Sequence, residues 1–375
     1  MQNLSRTGSF FLLAVACLTI MVGCVIVPGL PTIARQLGVE HAASWLVTVP
    51  SLGVIVFGAI AAKLIERLGL YKALCLGLFS YGLLGAVGFM LHAPIAVFSD
   101  RLLLGGSTAL VMAAGTGLIS EFYEGKARMT MIASQSMAIE LGGVFFLFIG
   151  GLLASAGWRW PFALYLTAWI FLALILIFVP RPESHLRAGH AGDRNRRVST
   201  ALRVVFTLAL LSMLVFFTAI IMLPLRLHDV NFKEAQVGYF LSFTSLVAVG
   251  AAAIMPRTAR QVGEYGTQAL AFVFYALAHL AFLTADGLML IIGGGVCLGI
   301  GFGLSVPLVN HMTIEQSEAP QRGRNLAYLS VAIFAGQFLS SFMELMPGSE
   351  LRVFGCACVI ALGVALMLLF AHKHR

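Results

Sequence analysis

Residues 10–27, FFLLAVACLTIMVGCVIV, contain no charged side chain and decide how the rest of the chain is interpreted. A run of this length approaches the roughly 20 apolar residues that a helix needs to cross a bilayer. Arg6 before the run and Cys24 near its end resemble a lipoprotein signal faintly. However, the run is long for the apolar part of a signal peptide, and more apolar sequence follows it. We therefore interpret it as the first of several membrane spans.

The composition of the whole chain agrees with that interpretation. The protein has 375 residues, of which 59% are hydrophobic and 11% are charged. One soluble core cannot hide so much apolar surface, whereas a bilayer accepts apolar side chains all around a helix. We expect an all-α integral membrane protein with twelve transmembrane helices in two six-helix, pseudo-symmetric halves. The predicted spans are residues 8–29, 43–63, 72–92, 94–120, 129–153, 161–180, 201–224, 236–255, 267–285, 287–310, 326–346 and 351–371.

A polar stretch, residues 181–200, separates two groups of six predicted spans. It is rich in Arg, Gly and His, a composition that is typical of a flexible linker. The sequence therefore predicts an N-terminal bundle over residues 1–180, a cytoplasmic linker over 181–200 and a C-terminal bundle over 201–375.

The two halves carry traces of an internal repeat. A shift of 194 residues places Gly69 on Gly263 and Arg128 on Arg322. These positions fall in equivalent loops of the two halves, as duplication of a six-helix unit requires.

The Lys and Arg residues predict the orientation in the membrane. If the N-terminus is cytoplasmic, most of the 24 Lys and Arg residues flank cytoplasmic ends of spans. Positive residues concentrate on that side of membrane proteins, so both termini are predicted to be cytoplasmic. The basic residues form no face interleaved with aromatic side chains, so the net charge of +8 does not indicate nucleic-acid binding. Five Lys and Arg residues are predicted on the opposite, non-cytoplasmic side of the membrane: Arg35, Arg159, Arg226, Lys233 and Arg352.

Four short segments carry a family resemblance. They are LPTIARQLG at residues 30–38, ERLGLYK at 66–72, RLLLG at 101–105 and GWRWPF at 157–162. These segments, in their places relative to the spans, resemble the major facilitator superfamily, and within it the drug/proton antiporter branch. The resemblance covers nearly the whole chain and implies a secondary transporter that works by alternating access.

The loop between spans 2 and 3 is the candidate cytoplasmic gate, with Glu66, Arg67, Gly69 and Lys72 as its residues. The resembling family has Asp-Arg-x-Gly-Arg-Arg here, so Glu66 replaces an Asp and the arginine after Gly69 is absent. Gly69 permits a tight turn, while Glu66 and Arg67 are able to pair across neighbouring helix ends and hold one access state closed. The alternative is a basic loop that only orients the protein.

Asp100 and Arg101 are the first polar pair inside a span. A charge at the membrane centre costs roughly 2.5–3.5 kcal/mol on insertion scales, so such residues usually face a cavity or a partner. The resemblance to the family's Arg-x-x-x-Gly favours Arg101 as the residue that faces the pathway, with Asp100 beside it. The alternative is a buried structural pair, or side chains that extend towards the membrane surface.

Glu140 lies near the middle of span 5, eleven residues from the cytoplasmic end at Met129. A lone carboxylate at this depth is costly in its charged form, so we expect it to bind a proton and to release it when water or Arg101 approaches. These are the properties of a proton carrier, and Glu140 is therefore the principal candidate for the proton and substrate pathway. The alternative is a neutral Glu hydrogen-bonded between helices.

Span 5 also contains Gly142, Gly150 and Gly151, which are expected to let helices pack closely. They agree with the antiporter branch's Gly-x-x-x-Gly-Pro-x-x-Gly-Gly motif, except that Phe146 and Leu147 replace its Gly-Pro. This departure weakens the implication of antiport without changing the predicted fold.

Gln337 in span 11 and Asn310 near the end of span 10 are the pathway candidates in the second half. Amides inside membranes more often join helices, so this assignment has a structural alternative. No cofactor is expected, and no metal site either, because the six cysteines fall inside apolar runs without zinc-ligand spacing.

The sequence therefore predicts a monomeric secondary transporter in a bacterial inner membrane, with its substrate, protons and the bilayer as partners. The predicted activity is proton-coupled efflux of a drug, a metallophore or another amphiphilic metabolite. Two alternatives stay open. One is uptake of a small solute by uniport or proton symport, in which Arg101 would hold an anion. The other is a membrane sensor without transport. The chain lacks Gly-x-Ser-x-Gly, His-Glu-x-x-His and phosphate-loop motifs, so no enzyme is expected.

Overall fold

The predicted spans are helices in the computed structural model, which describes residues 4–181, 198–229, 231–285, 287–318, 321–345 and 350–373. In this part of the chain twelve helices are long and apolar enough to cross a membrane, which confirms the all-α fold and the number of spans. Most of the predicted linker lies outside the described residues. In chain order the helices are α1 (Arg6–Gln36), α2 (Trp45–Leu68), α3 (Leu70–Met90), α4 (Pro94–Phe122), α5 (Gly125–Ala156), α6 (Trp160–Phe178), α7 (Thr200–Asp229), α8 (Glu234–Val262), α9 (Glu264–Thr284), α10 (Leu288–Glu315), α11 (Arg322–Glu344) and α12 (Glu350–Lys373).

The first span is broken, which its uniform apolar sequence did not reveal. Pro28 has no N–H to donate to the carbonyl four residues earlier, and this accounts for one break. Just before Pro28, the N–H of Ile26 donates to Gly23 O at 3.3 Å, three residues earlier, instead of to Val22 O, its acceptor in a regular α-helix. The carbonyl of Val22 is thereby left for another donor. The α-helical segments of α1 are Arg6–Ala16, Leu18–Cys24 and Leu30–Gln36.

Glycines at equivalent positions make the same turn in both halves. Gly69 joins α2 to α3 with φ 79° and ψ 160°, and Gly263 joins α8 to α9 with φ 78° and ψ 165°. A positive φ of this size favours glycine because other residues have a Cβ that would clash. The 194-residue shift seen in the sequence therefore corresponds to a repeated backbone geometry.

Close helix packing follows the same repeat. A Cβ on Gly105 of α4 would overlap the carbonyl oxygen of Pro50 on α2. In the second half, a Cβ on Gly299 of α10 would lie 2.5 Å from the carbonyl oxygen of Thr244 on α8. Both glycines and both partners are related by 194 residues, so the same pair of helices meets at the same level in each half.

Contacts between residues divide the chain into two units. Unit 1 comprises Met1–Leu186 and Leu227–Ser242, and unit 2 comprises Arg187–Arg226 and Phe243–Arg375. Within unit 1, α1 packs against α2, α4, α5 and α6, and within unit 2, α9 packs against α10 and α12. The boundaries at residues 181–200 that the sequence suggests between two bundles and a linker stay a prediction.

Candidate functional site

Asp100 and Arg101 form a buried ion pair inside unit 1. Arg101 Nη2 donates to Asp100 Oδ2 at 2.9 Å, and its Nε donates to the same oxygen at 3.2 Å. Arg101 is 2% exposed and Asp100 is 7% exposed, so protein encloses both charged groups. A buried charge that is paired and hydrogen-bonded in this way avoids the full cost of desolvation.

Aromatic rings of α6 complete the environment of the guanidinium. The Cζ atom of Arg101 lies 5.5 Å from the ring centres of both Phe162 and Tyr165, close enough for cation–π attraction. Its Nη1 donates to the hydroxyl oxygen of Tyr165 at 3.4 Å. Gly88 of α3 leaves the space that the guanidinium fills, since a Cβ there would overlap Arg101 Nη2. The arrangement has the geometry of the buried structural pair, and a role for Asp100 or Arg101 in the pathway stays a prediction.

Two tyrosines beside this pair were missed by the sequence analysis. Tyr165 donates from its hydroxyl to Val22 O at 2.8 Å, and Tyr81 donates to Leu18 O at 2.7 Å. Both acceptors are main-chain carbonyls of the broken helix α1. The repeat offered a signal, because Tyr81 corresponds to Tyr275 after a shift of 194 residues.

Glu140 is half-buried in the middle of α5. Among the described residues Glu140 forms no hydrogen bond and no ion pair. Arg101 forms its ion pair with Asp100 and not with Glu140. The structure therefore shows no direct contact through which Arg101 would promote the ionisation of Glu140. An unpaired carboxylate within a membrane span is costly when charged, which favours a group that exchanges a proton.

The position of Glu140 on α5 connects it to α8. Residues at i+4 and i+11 from it, Val144 and Gly151, share its face of the helix. Val144 O accepts a hydrogen bond from Ser242 Oγ at 3.0 Å, and a Cβ on Gly151 would lie 2.8 Å from Gly238 Cα. These contacts lie within unit 1, whereas the α8 residues after Ser242 group with unit 2. Glu140 thus lies one helical turn beyond the last of these α5–α8 contacts.

The other two glycines of the predicted packing motif, Gly142 and Gly150, face α1. A Cβ on Gly142 would lie 2.9 Å from Cys17 Cβ, and a Cβ on Gly150 would lie 2.5 Å from Val25 O. Each glycine is therefore a site where only a hydrogen atom fits between two helices. The role of these glycines as an antiporter motif stays a prediction.

A polar contact between α1 and α8 was also missed. Thr32 Oγ1 donates to Glu234 Oε1 at 2.9 Å, and both residues belong to unit 1. In sequence, Thr32 follows the proline of the first family-like segment, and Glu234 begins α8. Nothing in either pattern indicated that the two helix ends meet, because the residues are 202 positions apart.

The two amides predicted for the pathway lie in unit 2. Asn310 is half-buried and its Nδ2 donates to Val306 O at 3.0 Å, within its own helix. Gln337 is half-buried, and its main-chain carbonyl accepts from Ser340 Oγ at 2.6 Å. Their part in a pathway stays a prediction.

The residues of the proposed cytoplasmic gate lie at the turn between α2 and α3. Glu66, Arg67 and Lys72 are exposed, and none of them forms an ion pair with another described residue. Gly69 makes the turn with its positive φ. Within the described residues, no three or more His, Cys, Asp or Glu side chains are grouped so that they could hold a metal ion.

Comparisons with known proteins find a matching family model, relatives in sequence and a solved structure of the same fold. The family model described as Major Facilitator Superfamily matches residues 10–341. Multidrug resistance protein 2 of Bacillus subtilis (strain 168) is 23% identical over 239 residues, which are 60% of this chain and 60% of that protein. Multidrug resistance protein 1 of the same organism is 23% identical over 295 residues, 76% of this chain and 75% of that protein. The crystal structure of D-xylose-proton symporter shares the fold, with a TM-score of 0.75 and 16% identity over 97% of each chain.

Proposed function

We propose that this chain, which belongs to the Major Facilitator Superfamily, exports small amphiphilic molecules in exchange for protons. It is a multi-pass membrane transporter rather than an enzyme. Export, proton coupling and the amphiphilic class of substrate are the proposed part. The similarity to two multidrug resistance proteins supports export, and the proposal of proton coupling rests on Glu140.

The proposal depends on one observation, the unpaired state of the Glu140 carboxylate. Glu140 is a half-buried carboxylate at mid-span, without a hydrogen bond or ion pair among the described residues. A structural carboxylate at that depth would be expected to have a fixed partner, because an unpaired charge in the membrane is costly. A carboxylate that must change between protonated and charged forms cannot be tied to one partner in both. Its surroundings therefore fit a proton carrier.

In the proposed cycle Glu140 takes a proton from outside, carries it while the protein changes its access side, and releases it to the cytoplasm. Substrate leaves in the opposite direction. For an uncharged substrate, each proton that moves inwards supplies about 2.3 kcal/mol per 100 mV of membrane potential, enough for roughly a 50-fold concentration ratio per proton. For a monovalent cation exchanged one for one, no net charge moves and the pH gradient alone drives export. We also propose that Glu66, Arg67 and Lys72 form the cytoplasmic gate of this cycle, as the family resemblance implies.

Ethidium, an amphiphilic cation, is a suitable probe for the first test. Everted membrane vesicles that contain the protein should accumulate ethidium when respiration acidifies their interior, and a protonophore should abolish this accumulation. Glu140→Gln should slow it by about ten-fold or more, because an amide cannot carry the proton. Glu121→Gln, which alters an exposed carboxylate of α4 in the same unit, should keep the wild-type rate. Equal rates for Glu140→Gln and wild type, or no effect of the protonophore, would contradict the proposal.

Uptake by proton symport is the second candidate. It is favoured by the loss of the Gly-Pro of the antiporter motif, since Phe146 and Leu147 occupy those positions and are 5% and 2% exposed. The fold match to a proton symporter is compatible with it. Intact energised cells distinguish the two directions, because an exporter lowers the internal ethidium concentration and an importer raises it.

We further propose a bacterial inner-membrane location with both termini in the cytoplasm, from the distribution of Lys and Arg. A monomer that carries both six-helix halves is the proposed functional state, since one chain already supplies twelve spans.

A further inference from the structure

The middle segment of α1, Leu18–Cys24, is held on one face by the hydroxyls of Tyr81 and Tyr165. Their acceptors, Leu18 O and Val22 O, lie four residues apart and therefore on the same side of the segment. Both tyrosines are 0% exposed, so water does not compete for these hydrogen bonds. The bond to Val22 O replaces the helical donor that the break in α1 removes.

The ends of the same segment are held by α5. Cys17 Sγ donates to Ala138 O at 3.1 Å, and Gly142 packs against Cys17. At the other end Gly150 packs against the carbonyl of Val25. The segment lies between two breaks, and each break is a point at which the chain could bend. The tyrosine hydrogen bonds and the glycine contacts therefore join the segment to α3, α6 and α5.

Arg101 contacts the same hydroxyl that binds Val22 O. A guanidinium has only donors, so the Nη1 contact at 3.4 Å makes the Tyr165 oxygen an acceptor. The hydroxyl hydrogen of Tyr165 is donated to Val22 O, because a main-chain carbonyl can only accept. Asp100 keeps the guanidinium in place through its two hydrogen bonds. The buried ion pair is thus connected to α1 through the hydroxyl of Tyr165.

We propose that Tyr81 and Tyr165 are positioning residues for transport, which keep the Leu18–Cys24 segment of α1 in contact with α5 beside Glu140. Arg101, with Asp100, acts through Tyr165 and does not need to touch substrate. This inference rests on the proposed function, because Glu140 is the proton-carrying group and Cys24, at the end of the segment, is near enough to Glu140 for an electrostatic interaction. Removal of either hydroxyl leaves a buried carbonyl without its side-chain donor and loosens the segment.

The test uses Tyr81→Phe and Tyr165→Phe, each of which removes one oxygen and keeps the ring. Tyr275→Phe is the matched control. Its hydroxyl is also buried and bonded to Ser305 Oγ at 2.8 Å, but it lies in unit 2 at the position equivalent to Tyr81. Purified proteins would be reconstituted in liposomes with an imposed proton gradient. We expect the two test variants to lower the maximal rate of ethidium transport about ten-fold, with a change in KM below about two-fold. The control should keep the wild-type rate.

Hydrogen exchange of the main-chain amides tests this inference independently of transport. If wild-type protein does not transport ethidium, that result counts against the proposed function and not against the inference. Amides 18–24 should exchange about ten-fold faster in Tyr81→Phe and Tyr165→Phe than in wild type, and at the wild-type rate in Tyr275→Phe. Unchanged exchange in the two test variants would overturn the inference. Transport at the control's rate would overturn it as well, because the hydroxyls would then have no part in the reaction.

Discussion

At the scale of single residues, Asp100 and Arg101 show why depth in a span does not define a function. The sequence shows that the two residues are adjacent and lie inside a span. That position is compatible both with a transport pathway and with a buried ion pair. The structure adds the side-chain partners: two hydrogen bonds join the residues, and two aromatic rings lie beside the guanidinium. A role of the pair in the pathway stays a prediction. The pair supports α1 through Tyr165 in our proposal.

Asp100→Asn should destabilise the protein by about 3–5 kcal/mol, because it leaves the Arg101 charge buried without a counter-charge. The combined variant Asp100→Leu with Arg101→Met removes both charges, and should recover most of that stability. Thermal unfolding of the purified protein in detergent measures both effects. If Asp100→Asn has the same melting temperature as wild type, Asp100 does not stabilise the buried guanidinium.

At the scale of helices, α5 is the element on which the candidate site depends. One face contacts α1 through Gly142 and Gly150, and another contacts α8 through Gly151 and Val144. Glu140 belongs to the second face and lies just beyond those contacts. The glycine spacing in the sequence indicates close packing, but the partner of each glycine follows only from the arrangement of the helices.

Gly151→Ala should destabilise the protein by about 1–3 kcal/mol, since its methyl group would lie 2.8 Å from Gly238 Cα and would force α5 and α8 apart. Gly143→Ala is the control on the same helix. Its methyl group would lie at an ordinary 3.5 Å from Ile20 Cδ1, so the melting temperature should stay the same or rise slightly. Equal destabilisation by both substitutions would mean that the effect is not specific to the α5–α8 contact.

At the scale of the whole molecule, the repeat connects sequence to architecture. The turn glycines Gly69 and Gly263 have the same backbone angles, and Gly105 and Gly299 make equivalent close approaches. Membership of the Major Facilitator Superfamily explains this duplication, because the fold of that superfamily consists of two six-helix halves related as parallel repeats. The orientation of these halves in the membrane stays a prediction.

Single cysteines introduced at exposed loop positions test the orientation, in a background without the six native cysteines. Glu40→Cys, in the loop after α1, should react with an impermeant maleimide in intact cells. Glu124→Cys, between α4 and α5, should react only after the membrane is opened. The reverse pattern would contradict the cytoplasmic placement of both termini that the Lys and Arg distribution predicts.

The sequence by itself determined the membrane location, the number of spans and the duplicated plan, because each of these depends on local apolar length or on spacing along the chain. It also identified Glu140 as an isolated carboxylate at membrane depth. Only the tertiary structure decided that α1 is broken, that Tyr81 and Tyr165 hold its carbonyls, and that Thr32 meets Glu234. These features depend on side chains from distant helices that satisfy polar groups away from water, and spacing along one helix carries no information about which distant group will do so.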